Sequence, residues 1–190
     1  MEYLLLIVGA VLVNNVVLAQ FLGICPFLGV SNKISTATGM AAAVVFVMTL
    51  ATLATWMVYQ FLLAPLGIEY MQTISYILII ASLVQMVEII LKKTSPALYQ
   101  ALGVYLPLIT TNCVILGVAL LVIQKDYDLI TSIVYTIGTG LGYGLALTIF
   151  AGLREQLELS SVPAPFRGTP IALITAGILA MAFMGFAGMV

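Results

Sequence analysis

Charge is so sparse in this chain that the charged residues themselves mark out how it can fold. No Asp, Glu, Lys or Arg occurs between Glu2 and Lys33, Lys33 and Glu69, Glu69 and Glu88, Lys93 and Lys125, or Asp128 and Arg154, nor from Arg167 to Val190. A helix crosses a hydrocarbon core of about 30 Å with about 20 mostly apolar residues. The six uncharged stretches therefore predict six membrane-spanning helices near Tyr3–Leu22, Thr38–Leu63, Gln72–Leu91, Leu98–Ile123, Leu129–Leu153 and Pro170–Met189. Strands of a barrel would alternate polar and apolar residues, and these stretches do not.

Composition agrees. The chain is 63% hydrophobic and 7% charged, with a mean hydropathy of +1.24, against roughly 45–50% and about 25% in soluble domains. Too few charges remain to coat a water-facing surface, and there is no basic patch to neutralise nucleic-acid phosphates. The absence of His removes imidazole catalysis and imidazole metal ligation. The expected architecture is one all-α, polytopic membrane domain over residues 1–190, with lipid as its surroundings. The first stretch lacks a basic region before its apolar run, so it reads as a span of the mature protein rather than a signal peptide.

Orientation follows from the basic residues. Lys33, Lys92, Lys93, Arg154 and Arg167 fall in alternate loops, and Lys125 stands alone on the other side with Asp126 and Asp128. That bias predicts both termini on the non-cytoplasmic side. Glu88, at the cytoplasmic end of the third span, is the carboxylate nearest to membrane depth and reads as a solvated helix end. The expectation is that the chain carries no carboxylate relay of its own.

Internal likeness adds a second constraint. Cys25-Pro26-Phe27-Leu28-Gly29-Val30 and Cys113-Val114-Ile115-Leu116-Gly117-Val118 share the pattern C-x-x-L-G-V, built on the only two cysteines. Ala64-Pro65 and Ala164-Pro165 precede the third and sixth spans in the same way, and Thr38-Gly39 and Thr139-Gly140 fall alike in spans two and five. Two three-helix repeats, about 1–93 and 94–190, must then lie inverted with respect to one another, an arrangement that sets sites on interrupted helices at the repeat interface. Pro26 with Gly23 and Gly29, and Pro107 with Gly103 and Gly117, mark interruptions at both cysteine segments. Asn14-Asn15 and Thr110-Thr111-Asn112 add polar side chains there.

The residues leave three roles open for the cysteines. They can be buried small hydrophobes, a disulfide pair, or soft thiolate ligands of an iron–sulfur centre. A [2Fe–2S] cluster takes four thiolates, so the last role requires a partner chain with two more. The glycines Gly138, Gly140, Gly142 and Gly144 form two overlapping G-x-x-x-G spacings suited to close helix approach.

Several stretches carry a family resemblance. Val13-Asn14-Asn15, Phe21 through Val30, Lys93-Thr94-Ser95-Pro96-Ala97-Leu98-Tyr99, Leu106-Pro107-Leu108-Ile109-Thr110-Thr111-Asn112-Cys113, Val162-Pro163-Ala164-Pro165-Phe166-Arg167-Gly168 and Ile171 through Gly177 resemble the A-type membrane proteins of the bacterial Rnf complex. The likeness runs from end to end, and the related E and D subunits of the sodium-pumping NADH:quinone reductase share the framework. The resemblance implies a non-autonomous subunit of an ion-translocating (Na⁺ or H⁺) ferredoxin:NAD⁺ oxidoreductase in the bacterial cytoplasmic (inner) membrane. It further implies that Cys25 and Cys113 give two of the four ligands of a [2Fe–2S] cluster shared with the E subunit, which is homologous and oppositely oriented. Further partners would be flavin-bearing subunits and a cytoplasmic iron–sulfur subunit. Gly23, Gly29, Thr111, Asn112 and Gly117 would surround the ligands, within an apolar shell of Phe27, Leu28, Ile115 and Leu116. The alternatives are the E subunit of the sodium-translocating reductase, a small inverted-repeat secondary transporter and a scaffold with inert cysteines.

Overall fold

The computed structural model describes residues 2–94 and 106–186, and these are helical with no strand among them. The expected helix limits at Leu98 and Met189, and Gly103, lie outside the described residues. Eight α-helices follow in chain order: α1 (Glu2–Val8), α2 (Ile24–Gly29), α3 (Ile34–Val58), α4 (Gln72–Thr94), α5 (Leu106–Thr110), α6 (Cys113–Gln124), α7 (Leu129–Leu159) and α8 (Thr169–Met184). α1 runs on into a wider π-helical turn at Gly9–Val13, and α3 into another at Tyr59–Leu63 that continues to Leu66.

Among the described residues, four segments are long and apolar enough to cross a membrane: Ile34–Leu66, Gln72–Ile90, Pro107–Gln124 and Leu129–Leu159. Tyr3–Val13 and Thr169–Met184 are shorter apolar helices. At 1.5 Å per residue the first covers about half of the hydrocarbon core. The helix expected to reach Leu22 stops at Val13, because Asn14 leaves helical geometry and Asn15 turns its side chain onto the backbone that follows. α7 outruns its expected end at Leu153 and carries Arg154 inside its last turns, because that guanidinium is held by protein groups rather than released to water. α3 likewise begins at Ile34, four residues early, where its first N–H donates to Glu155 Oε1 at 3.0 Å.

α7 is the axis of the fold. α3 packs along it antiparallel, in a register set by Thr52 beside Thr136 (3.2 Å between hydroxyl oxygens), Met48 and Val45 beside Gly140, and Ala41 beside Gly144. α1 packs along it in parallel: a Cβ on Gly138 would lie 3.4 Å from the Ile7 Cα, and one on Gly142 would lie 3.0 Å from the Val11 Cα. The two interleaved glycine spacings therefore serve two different helices. Gly138 and Gly142 admit α1, while Gly140 and Gly144 admit α3. Without a hydrophobic driving force between helices in lipid, such close backbone contact supplies the association energy.

The buried interior also holds Thr52, Thr55, Thr136 and Thr139, each of whose hydroxyls donates to the carbonyl four residues earlier. Their polarity is satisfied within their own helices, which is what a lipid-embedded helix demands. Outward faces of α4 and α8 present Ile77, Leu78, Ile89, Leu173, Ile178 and Met181, all exposed. Apolar surface of this extent suits hydrocarbon rather than water.

Candidate functional site

The first break in helical structure is built by Asn15. Its Oδ1 accepts the N–H groups of Val17 and Leu18 (3.1 and 3.4 Å), and its Nδ2 donates to Val11 O (3.1 Å) and, across to α7, to Gly142 O (2.8 Å). All its hydrogen-bonding capacity is spent on holding this buried turn to α7, and the bare Cα of Gly142 makes the approach possible. Phe21 follows at φ +56° with its ring exposed, and Gly23 at φ +78°. An L side chain pays about 1–2 kcal/mol for that left-handed conformation, whereas glycine adopts it freely.

Gly23 starts α2. Cys25 is the second residue of this short helix and its thiol is exposed. Pro26 is the third, a place where a helix needs no N–H; proline here begins the helix rather than breaking it. At the far end, Arg154 Nη1 donates to Leu28 O at 2.7 Å and to Ser31 Oγ at 2.9 Å. It thereby caps one of the carbonyls that the short helix leaves unpaired. The Phe27 ring stacks on Phe150 of α7 with centroids 4.2 Å apart.

The second break is tighter. α5 closes with the Thr111 N–H and hydroxyl both on Pro107 O (3.2 and 2.9 Å) and the Asn112 N–H on Ile109 O (3.2 Å). Asn112 is extended, and its Oδ1 caps α6 by accepting the Val114 N–H at 3.2 Å. Cys113 is the first residue of α6 and is half-buried.

The two breaks meet. The Gly23 N–H donates to Cys113 Sγ at 2.8 Å across a separation of 90 residues. A Cβ on Gly23 would collide with Val114 Cγ2, and would lie 3.1 Å from Tyr143 Cε2 and 3.3 Å from Asn112 Oδ1. Of the residues singled out from the sequence, Gly23, Asn112 and Cys113 thus come together, with Cys25 two residues further along α2. Three others do not join them. Gly29 is exposed and has open space around it, Gly117 packs on Leu22, and Thr111 is exposed with its hydroxyl engaged on Pro107. Phe27 and Ile115 are buried, while Leu28 and Leu116 are half-buried.

Sequence reasoning misses Tyr143 and Arg154 as parts of this region, and it reads Asn15 only as a polar residue near a break. Tyr143 is fully buried on α7 against Gly23, and a single Tyr within a glycine-rich helix gives no sequence signal of that contact. Arg154 is legible in the sequence only as a topological charge.

A backbone N–H points at Cys113 Sγ, and a helix of twelve residues begins at that cysteine; both stabilise negative charge on sulfur. These features fit a metal-bound thiolate. Among the described residues no three His, Cys, Asp or Glu side chains converge to hold a metal. A four-thiolate centre must therefore draw ligands from another chain.

Comparison with known proteins gives a consistent result along the chain. Residues 3–190 match the family described as Rnf-Nqr subunit, membrane protein. A relative from Syntrophotalea carbinolica, named as the A subunit of an ion-translocating oxidoreductase complex, is 61% identical over 187 residues, covering 98% of this chain and 97% of the relative. Proteins of the same name from Yersinia enterocolitica and Vibrio cholerae are 56% and 55% identical over 189 residues, covering 100% of this chain and 98% of theirs.

Proposed function

This chain belongs to the Rnf-Nqr family of membrane subunits, and on that premise we propose that it is the A-type subunit of an ion-translocating (Na⁺ or H⁺) ferredoxin:NAD⁺ oxidoreductase of the bacterial cytoplasmic membrane. In this reading Cys25 and Cys113 supply two of the four ligands of an intramembrane [2Fe–2S] cluster, and the homologous subunit of opposite orientation supplies the other two. The cluster would provide one-electron chemistry within the membrane. The chain has no complete active site, so flavin-bearing subunits and a cytoplasmic iron–sulfur subunit serve as its electron partners.

The observation that carries the reading is the Gly23 N–H on Cys113 Sγ, which ties the two cysteine segments into one place. The exposed thiol of Cys25 lies on the same segment and is available to a second chain. Residues of this chain then have definite tasks. Gly23 donates to sulfur without a Cβ in the way, the helix start at Cys113 favours its charge, and Phe27 and Ile115 keep water out.

Six spans in two inverted repeats belong to the same proposal. Each half has a break, a cysteine in the first turn after it, and then a long helix, α3 or α7. Corresponding elements of inverted halves must run oppositely, and α3 and α7 pack antiparallel. Termini on the non-cytoplasmic side are supported by the grouping of Lys33, Arg154 and Glu155 at one end of the α3–α7 pair. At the other end Trp56 donates to Tyr127 O (3.3 Å) in an aromatic belt with Tyr59. Among the described residues no buried side chain is charged. Ion movement would accordingly depend on small polar groups and backbone carbonyls.

The test is electron paramagnetic resonance and iron and sulfide analysis of the whole purified complex. Cys25→Ala and Cys113→Ala should each remove one [2Fe–2S] signal and its two irons. An undiminished signal in either variant rejects that residue as a ligand.

A further inference from the structure

Two buried side-chain atoms among the described residues lack any hydrogen-bond partner: Asn112 Nδ2 and the hydroxyl of Tyr143. The other polar groups of the interior show how unusual this is. Asn15 uses both ends of its amide, and the buried threonines bond their own helices. Leaving a buried donor idle costs about 1–3 kcal/mol, and this chain does so twice in one spot. Both residues flank Gly23. Asn112 directly precedes Cys113. The Tyr143 ring edge lies against Gly23, whose N–H donates to Cys113 Sγ.

Neither donor is free to turn away. Asn112 Oδ1 must face the Val114 N–H to cap α6, which fixes where the amide nitrogen points. The Tyr143 ring is fully enclosed, and the residue before it, Gly142, is held by Asn15. Two donors are therefore held around Gly23, and Cys113 Sγ accepts the N–H of that glycine.

We propose that Asn112 and Tyr143 are positioning residues that hold hydrogen-bond donors ready for negative charge at Cys113, and so raise the reduction potential of the cluster it would ligate. The inference rests on the function proposed above. Reduction adds one electron and one unit of negative charge, with no bond made or broken, and Tyr143 keeps its proton. Hydrogen bonds to a charged acceptor are about twice as strong as neutral ones. The fixed donors therefore stabilise the reduced form more than the oxidised form.

Tyr143→Phe deletes one of these donors and no other hydrogen bond. In the intact complex, titrated with redox mediators and followed by electron paramagnetic resonance, the variant should keep the signal but become about tenfold harder to reduce. That is a potential about 59 mV more negative for a one-electron couple. Exchangeable-proton coupling seen by electron–nuclear double resonance in deuterated buffer should weaken with it. Asn112→Ser retains a capping oxygen and loses the amide donor, so it should shift the potential in the same direction. This second variant decides the matter should the first fail to assemble. A cysteine-dependent signal with an unmoved potential overturns the inference while sparing the assignment of function. Absence of a Cys25- or Cys113-dependent signal in the unaltered complex overturns both.

Discussion

The two cysteine segments perform the same local manoeuvre with opposite degrees of restraint. After Val13 the chain takes ten residues to reach α2, and it presents Cys25 on a helix of six residues with the thiol exposed. After Thr110 it takes two residues to reach α6, and Cys113 opens a helix of twelve with its sulfur accepting a hydrogen bond. α2 depends on neighbours at both ends, on α7 through Asn15 and Phe150 and on Arg154 at its C-terminus. α6 is capped by the residue just before it and buries Val114, Ile115, Val118, Ala119 and Val122 along its length. The difference teaches that one sulfur is anchored by this chain, whereas the other is offered outward.

Perturbing the junction itself should have the largest effect on stability. Gly23→Val combines a disfavoured positive φ with a collision against Val114, and should lower stability by about 2–5 kcal/mol. Thermal unfolding of the detergent-solubilised complex would register it, and an unshifted midpoint would mean that the two breaks do not meet. The asparagines come next. Asn15→Ala strips four hydrogen bonds and orphans the N–H groups of buried Val17 and Leu18, for a loss of about 2–4 kcal/mol. Asn112→Ala removes one cap, worth about 1 kcal/mol. Equal losses, or the reverse order, would contradict the contrast drawn between the segments. Arg154→Leu should have the smallest effect, about 0.5–1 kcal/mol confined to α2, because the half-buried guanidinium is partly screened by solvent. Hydrogen exchange should quicken at Phe27 and Val30 but not within α6.

Much of the fold is readable from residue order alone, for reasons that can be located. Charge spacing finds the long helices because lipid forbids unpaired charge over about 20 residues. It misjudges ends such as Leu153, since an arginine bound to carbonyls of another segment continues a helix that a solvated one would end. The interruptions are legible, but their cause is not. Pro26 looks like a breaker, yet it occupies the opening turn of α2, and Asn15 and Asn112 make the turns through side-chain bonds to following N–H groups. The glycine row of α7 is visible as a packing motif. Its division between a parallel and an antiparallel neighbour is not, because that depends on which helices arrive beside it. Tyr143 beside Gly23 is likewise a fact of tertiary structure, joining positions 120 residues apart.

The bond from Asn15 to the Gly142 carbonyl has a consequence for biogenesis. Its two partners are separated by 127 residues, so at about 5–20 residues per second the ribosome delivers the second on the order of ten seconds after the first. Until α7 enters the bilayer, the turn after α1 has nothing to hold it, and the earliest-made cysteine waits in an unfinished segment. The turn that leads to the amino-terminal cysteine is therefore finished only once α7 is in place beside it.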